Sequence, residues 1–220
     1  MVMKRRVKTA TRIILAAEAL FAEQGFTETT MRQITSAADV NLAAVNYHFR
    51  SKQGLVNAVC ERLMEPLCDE IESALEDRLL DSSPVRIEEL LEILMRALLN
   101  VSQINTFSLS VFMRLLELAY MKNQEELREF FLTEYWHRLE KFMDCLRKDA
   151  APMEDNEFFW RLHFSLGSIV FTLSNYHMLL TLEKSSFKDS AEIERILHRM
   201  IPVLAAGMQA RGEKTYFCRI

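Results

Sequence analysis

A chain of 220 residues, half of them apolar, has material for one large core or two small ones, which excludes a disordered or low-complexity protein. Five glycines and four prolines leave few turns for a many-stranded fold, so the expected class is all-α. The net charge of −4 conceals a split: residues 1–53 hold eight basic side chains against four acidic ones (+4), and the remainder holds 19 against 27 (−8).

From about Thr9 to Gln24, Ile13, Ile14, Ala17, Leu20 and Phe21 recur at helical spacing, and Gly25-Phe26 is a C-terminal stop with its hydrophobic contact. Thr30 followed by Gln33 is a capping box, so a second helix starts at Met31 with Met31, Ile34 and Ala38 on one face. Asp39 and Val40 make a turn, with Asp39 tolerating a left-handed backbone. Asn41 then caps a third helix, whose inward face is Val45 and Phe49 and whose outward face is Leu42, Ala43, Asn46, Tyr47 and His48. Small and hydrogen-bonding side chains on a short second helix suit the major groove, where asparagine bonds adenine through two hydrogen bonds. This is the pattern of a helix-turn-helix, set at the basic end of the chain, where phosphate contacts need positive charge. The three helices should close a small core of Ile14, Phe21, Phe26, Ile34, Val45 and Phe49 and lean on the next helix for stability.

Ser51 caps that fourth helix, expected over Lys52 to about Leu80, with Leu55, Val59, Leu63, Leu67, Ile71 and Leu75 in one stripe. Lys52 in its first turn is placed to touch a phosphate. Pro66 inside the stripe predicts a bend, a candidate point for converting ligand state into head spacing. After the break at Asp81-Ser82-Ser83-Pro84 comes a fifth helix through Leu90, Leu91, Leu94, Leu98 and Val101, then a sixth from Thr106 to Tyr120. Asn123 with Glu126 reads as the cap of a long seventh helix reaching about Lys148, and Pro152 marks the next break. An eighth helix is expected from about Asn156 to Leu182, and a ninth from Ser190, with Pro202 inside and Gly212 near its end. These last two are apolar around much of their circumference and predict a homodimer through a four-helix interface, two helices from each protomer. The expected domains are therefore a helix-turn-helix head, residues 1–53, and a helical ligand-binding and dimerisation body, residues 54–220.

Gly25-Phe26, Thr30 with Ile34 and Ala37-Ala38, Val40-Asn41, Tyr47-His48-Phe49 and Ser51-Lys52 together resemble the DNA-binding domain of TetR-family transcriptional regulators. The resemblance covers roughly residues 10–60; beyond it the chain is similar in length and helical character. It implies a dimer that binds a palindromic double-stranded DNA operator and responds to a small effector held in the body. The implied DNA set is Thr30, Asn41, Leu42, Ala43, Asn46, Tyr47, His48 and Lys52, with Thr30, Tyr47, His48 and Lys52 on phosphates and Leu42, Ala43 and Asn46 at base edges. Two positions depart from the family pattern: Asp39 stands where a turn glycine is usual, and Asn46 where the first of two tyrosines is common. The run Asn-Leu-Ala-Ala-Val-Asn-Tyr-His-Phe, with Pro-Val-Leu-Ala-Ala-Gly-Met near the C-terminus, is similar to a branch that includes fatty-acid-responsive members.

Twelve methionines and fourteen phenylalanines suit a cavity for a small hydrophobic effector. The candidates are Met64, Phe107, Phe112, Met113, Leu116, Phe131, Phe164 and Phe171, for each of which plain core packing is the competing role. Arg114, Arg138 and Arg161 could pair with an acyl carboxylate, although Glu117 and Glu134 offer the first two local partners. Cys60, Cys68, Cys145 and Cys218 are scattered without a CxxC pair, so neither a disulfide framework nor a zinc site is expected. The five histidines form no HExxH pair, and there is no glycine-rich phosphate loop and no GxSxG elbow, so neither catalysis nor a cofactor is expected. No apolar run approaches the ~18 residues of a membrane span, and MVMKRRVKTA lacks a signal-peptide core, which predicts a cytoplasmic protein without membrane contact. The alternative function is a helical lipid carrier or adaptor that does not bind DNA; it leaves the capped helix pair and the basic end unexplained.

Overall fold

The computed structural model describes residues 8–187 and 192–210. Within them every regular element is a helix: α1 (Thr9–Gln24), α2 (Met31–Ala37), α3 (Leu42–Phe49), α4 (Lys52–Leu79), α5 (Ile87–Ile104), α6 (Ser108–Ala119), α7 (Glu125–Glu134), α8 (Trp136–Asp149), α9 (Asp155–Ser174), α10 (Tyr176–Phe187) and α11 (Ile193–Gln209). The all-α expectation holds, but eleven helices stand where nine were expected, because two long ones are interrupted. The first break is at Tyr135, whose φ of −123° and ψ of −21° leave the helical well. The second is at Asn175, whose side-chain amide donates to the Phe171 carbonyl at 2.8 Å and competes with the helix ladder. Asn123 is also corrected: it does not cap α7 but turns the chain ahead of it, with φ of 66°. Ser190 and Gly212, expected near the ends of the last helix, and Lys4, Arg5, Arg6 and Cys218 lie outside the described residues.

The described residues pack as two compact units, one drawn from Met1–Pro66 and Val101–Glu134, the other from Leu67–Asn100 and Tyr135–Ile220. In the first, α1 buries Ile13, Ala17 and Phe21 against Phe26, Ile34, Ala38 and Val45. Phe21, Phe26, Ile34 and Val45 are buried as expected, with two differences from the expected core. Ile13 is fully buried, whereas Ile14 and Phe49 are only half-buried at the rim. The head also has a partner beyond α4, since α1 packs on α6 and the Arg114 guanidinium donates to the Phe21 carbonyl at 3.2 Å. The stripe of α4 is buried as spaced, from Leu55 to Leu75, and α4 remains one helix through Pro66.

In the second unit, Arg138 on α8 is held by Glu72 and by Asp69 of α4, the latter at 2.6 Å. Asp149 at the end of α8 joins two other helices: its carboxylate accepts from the Ile87 N–H that opens α5, and its carbonyl accepts from Gln209 on α11 at 2.6 Å. Arg161 on α9 is nearly buried. It donates to Glu157, to the Gly207 carbonyl at 2.9 Å and to the Ala210 carbonyl, so it binds the C-terminal end of α11 to α9. Arg138 and Arg161 are thus engaged by protein groups. Among the described residues no helix is long and apolar enough to cross a membrane, and no group of three His, Cys, Asp or Glu side chains could hold a metal.

Candidate nucleic-acid interface

The helix pair forms as its caps dictate. The Thr30 hydroxyl accepts from the Gln33 N–H at 3.3 Å, and the Gln33 side chain accepts from the Thr30 N–H at 2.7 Å. Asn41 accepts from the Ala44 N–H at 2.8 Å and starts α3. Asp39 adopts the left-handed conformation that the turn requires, with φ of 51°. A clamp from outside the motif holds that turn: Arg12 on α1 donates to the Ala38 carbonyl at 2.5 Å and the Asp39 carbonyl at 2.6 Å. These carbonyls end α2, where a cation is favoured. Sequence reading gave Arg12 only a place in the charge count, because its partners lie 26 and 27 residues away.

One face of α3 is sealed by Val45, which is fully buried, while Leu42, Ala43, Asn46, Tyr47 and His48 are exposed. Tyr47 is 83% exposed, and its ring meets that of His48 edge-on at 5.1 Å. The Asn46 amide has no hydrogen-bond partner among the described residues, so both its donor and its acceptor are open. Thr30 and Asn41 are exposed beside this face, although each side-chain oxygen also serves its own helix.

Lys52 is placed differently from its expected role. Its ammonium turns into the domain and donates to the Phe26 carbonyl at 2.5 Å and the Thr27 carbonyl at 3.4 Å. Burial lowers its pKa, with Glu28 acting in the opposite sense. Ahead of it the chain makes a tight corner: Arg50 has φ of 64°, and the Ser51 N–H reaches the Phe49 carbonyl at 2.7 Å. Ser51 caps α4 by accepting from the Gly54 N–H at 2.9 Å. A Cβ on Gly54 would meet the Phe49 carbonyl oxygen at 2.1 Å.

Behind the interface lies a buried polar knot that sequence reading missed. The carboxylate of Glu18, fully buried on α1, accepts from Arg62 on α4 at 2.9 Å and from Asn105 after α5. Burial raises the Glu18 pKa; Asn105 and Arg62 pull it back only in part. Glu18 lies on the same helical turn as the core residues Ala17 and Phe21, which was the one available signal.

The eight effector candidates divide between the two units. Met64, Phe112 and Met113 are buried, and Leu116 and Phe131 half-buried, in the first unit, where Phe107 is 43% exposed. Phe164 and Phe171 belong to the second unit and stand at the surface of α9, 66% and 61% exposed; here they line no interior. Two grooves, of about 570 and 340 Å³, open at Thr11, Ile14 and Arg50 of the first unit and at Glu70, Asp77 and Glu92 of the second, and neither touches any of the eight.

A capped helix pair whose second helix exposes Leu42, Ala43, Asn46, Tyr47 and His48 defines a helix-turn-helix unit with an appended helical body. Residues 13–59 match the family described as bacterial regulatory proteins, tetR family, and residues 92–207 match the tetracyclin repressor-like C-terminal domain. The chain therefore belongs to the TetR family. It is 36% identical over 69 residues to a Bacillus subtilis (strain 168) protein named "Probable HTH-type transcriptional regulator YttP"; the match takes in 31% of this chain and 33% of that protein, so the chain spans about a third of its curated relative. Among solved structures it is similar to the fatty acid degradation regulator FadR from Bacillus halodurans, with 18% identity, a TM-score of 0.62, and coverage of 94% of this chain and all of that one. A TetR-family regulator from Shewanella sp. PV-4 aligns with 17% identity, a TM-score of 0.62 and coverage of 93% and 100%. At these identities the likeness is one of fold.

Proposed function

We propose that the protein is a homodimeric, ligand-responsive repressor that acts in the cytoplasm and leaves a palindromic operator when a small hydrophobic effector binds. The observation that carries this reading is the exposed face of α3, open at Asn46 and backed by the fully buried Val45. Thr30, Asn41, Tyr47 and His48 position the backbone, and Leu42, Ala43 and Asn46 read base edges. The dimer surface is the aromatic side of α9, Phe159, Trp160, Phe164 and Phe171, with Val203 of α11, all more than half exposed in one protomer. Large exposed apolar patches mark interaction sites, and a two-fold pair of recognition helices matches two half-sites one helical turn apart.

For the effector we favour a fatty acid or acyl derivative. Buried Met64, Phe112 and Met113 offer a deformable apolar environment. Ser108 at the start of α6 holds a buried hydroxyl with no partner among the described residues, a group that the polar end of a ligand can satisfy. Gel-shift against the DNA upstream of the protein's own gene, with a salt titration and added long-chain fatty acids or acyl thioesters, tests both parts. Salt-sensitive, sequence-specific binding relieved by an acyl compound is the expected result. Tight acyl binding with no DNA binding would instead favour the lipid carrier.

A further inference from the structure

Arg50 occupies an unusual backbone position for a residue with a side chain. At φ of 64° and ψ of −46° it stands at the centre of a three-residue turn closed by the Ser51 N–H on the Phe49 carbonyl. This is the rare hand of γ-turn, strained for any residue but glycine. The corner is locked from both sides, since Arg50 N–H caps α3 on the Asn46 carbonyl at 3.0 Å and Gly54 leaves no room beside Phe49. Its guanidinium is exposed and has no hydrogen bond or ion pair among the described residues; Glu61, which lines the same groove, forms none with it. The strain therefore gains the fold no contact. Its effect is to place a cation just past the last turn of α3, next to exposed Tyr47 and His48, while the amine of Lys52 is taken up by Phe26 and Thr27.

We propose that Arg50 is a DNA-phosphate contact of this protein and that Lys52 is an internal strut between the start of α4 and the α1–α2 loop. The proposal rests on the regulator reading above. A guanidinium binds phosphate through two parallel N–H groups, and a phosphate contact is sequence-independent. The test measures binding of the full-length protein to a fluorescein-labelled random-sequence duplex across salt concentrations, together with Tm. R50Q should weaken binding several-fold at low salt and flatten the plot of log affinity against log salt by about 0.9, the release of one phosphate's counterions. R50K should restore both. R50G should lose the same affinity yet raise Tm by about 2–4 °C, since glycine removes the strain. K52M should lower Tm without changing the salt slope. An unchanged slope in R50Q, or affinity that rises with Tm in R50G, overturns the assignment while the regulator reading stands. A flattened slope in K52M returns the contact to Lys52 and overturns the strut. Wild-type protein that binds no duplex at any salt concentration overturns the regulator reading and this assignment together.

Discussion

Asn46 and Val45 are neighbours with opposite fates, one open to solvent and the other sealed in the core, and the proposed role of α3 as a reader depends on that alternation. Asn46→Ala should cost ~1–3 kcal/mol on the preferred operator and little on random duplex, measured by fluorescence anisotropy on both. Equal losses on the two would remove Asn46 as a reader. Glu18 makes a different kind of prediction. Its folded pKa is raised above the ordinary 4.5, chiefly by burial, so the folded state takes up its proton more readily than the unfolded one. Its contribution to stability is full below 4.5 and is lost as pH rises through the raised folded value. Denaturation midpoints of wild type relative to Glu18→Gln should accordingly fall as pH is raised from that region toward neutrality, and a constant difference would refute the burial account. The caps at Thr30 and Asn41 were legible in the sequence because each bond closes within three residues. The partners of Lys52 and Glu18 were not: Phe26 is 26 residues from Lys52, and Asn105 is 87 from Glu18, distances at which spacing carries no signal.

The corner between α3 and α4 shows why elements can be placed correctly and their junctions missed. Both helices begin where their caps predict, but the corner depends on the Gly54 backbone lying against the Phe49 carbonyl. Gly54→Ala should destabilise the protein by about 1–3 kcal/mol, because the added methyl meets backbone rather than a yielding side chain. Chemical denaturation reads this directly, and a stability unchanged within error would mean that the corner relaxes freely. The breaks at Tyr135 and Asn175 escaped sequence reading for the opposite reason. Neither has a glycine or proline, so the apolar period runs on across both. Along α1 the expected core took Ile14 where the fold buries Ile13, since the two are equally apolar and only packing chooses between them.

At the scale of the molecule, all-helical class and the basic end were readable from composition and charge, and the head from its motif. Placement of the effector candidates was not, because a phenylalanine on a helix has the same sequence signature facing a core, a ligand or another protomer. Phe164→Glu separates the last of these. Exposed in the protomer, it should leave helicity intact, yet yield monomers in sedimentation where the proposed wild-type dimer is expected, with loss of operator binding. A dimer that persists would move the interface elsewhere. The hold of Arg12 on Ala38 and Asp39 carries a consequence for anyone seeking a minimal decoy. A synthetic peptide copying only residues 30–52 would lack the guanidinium that braces its own bend, and would wander among shapes instead of competing for the operator. Such a mimic should gain potency only once the chain back to residue 9 is restored.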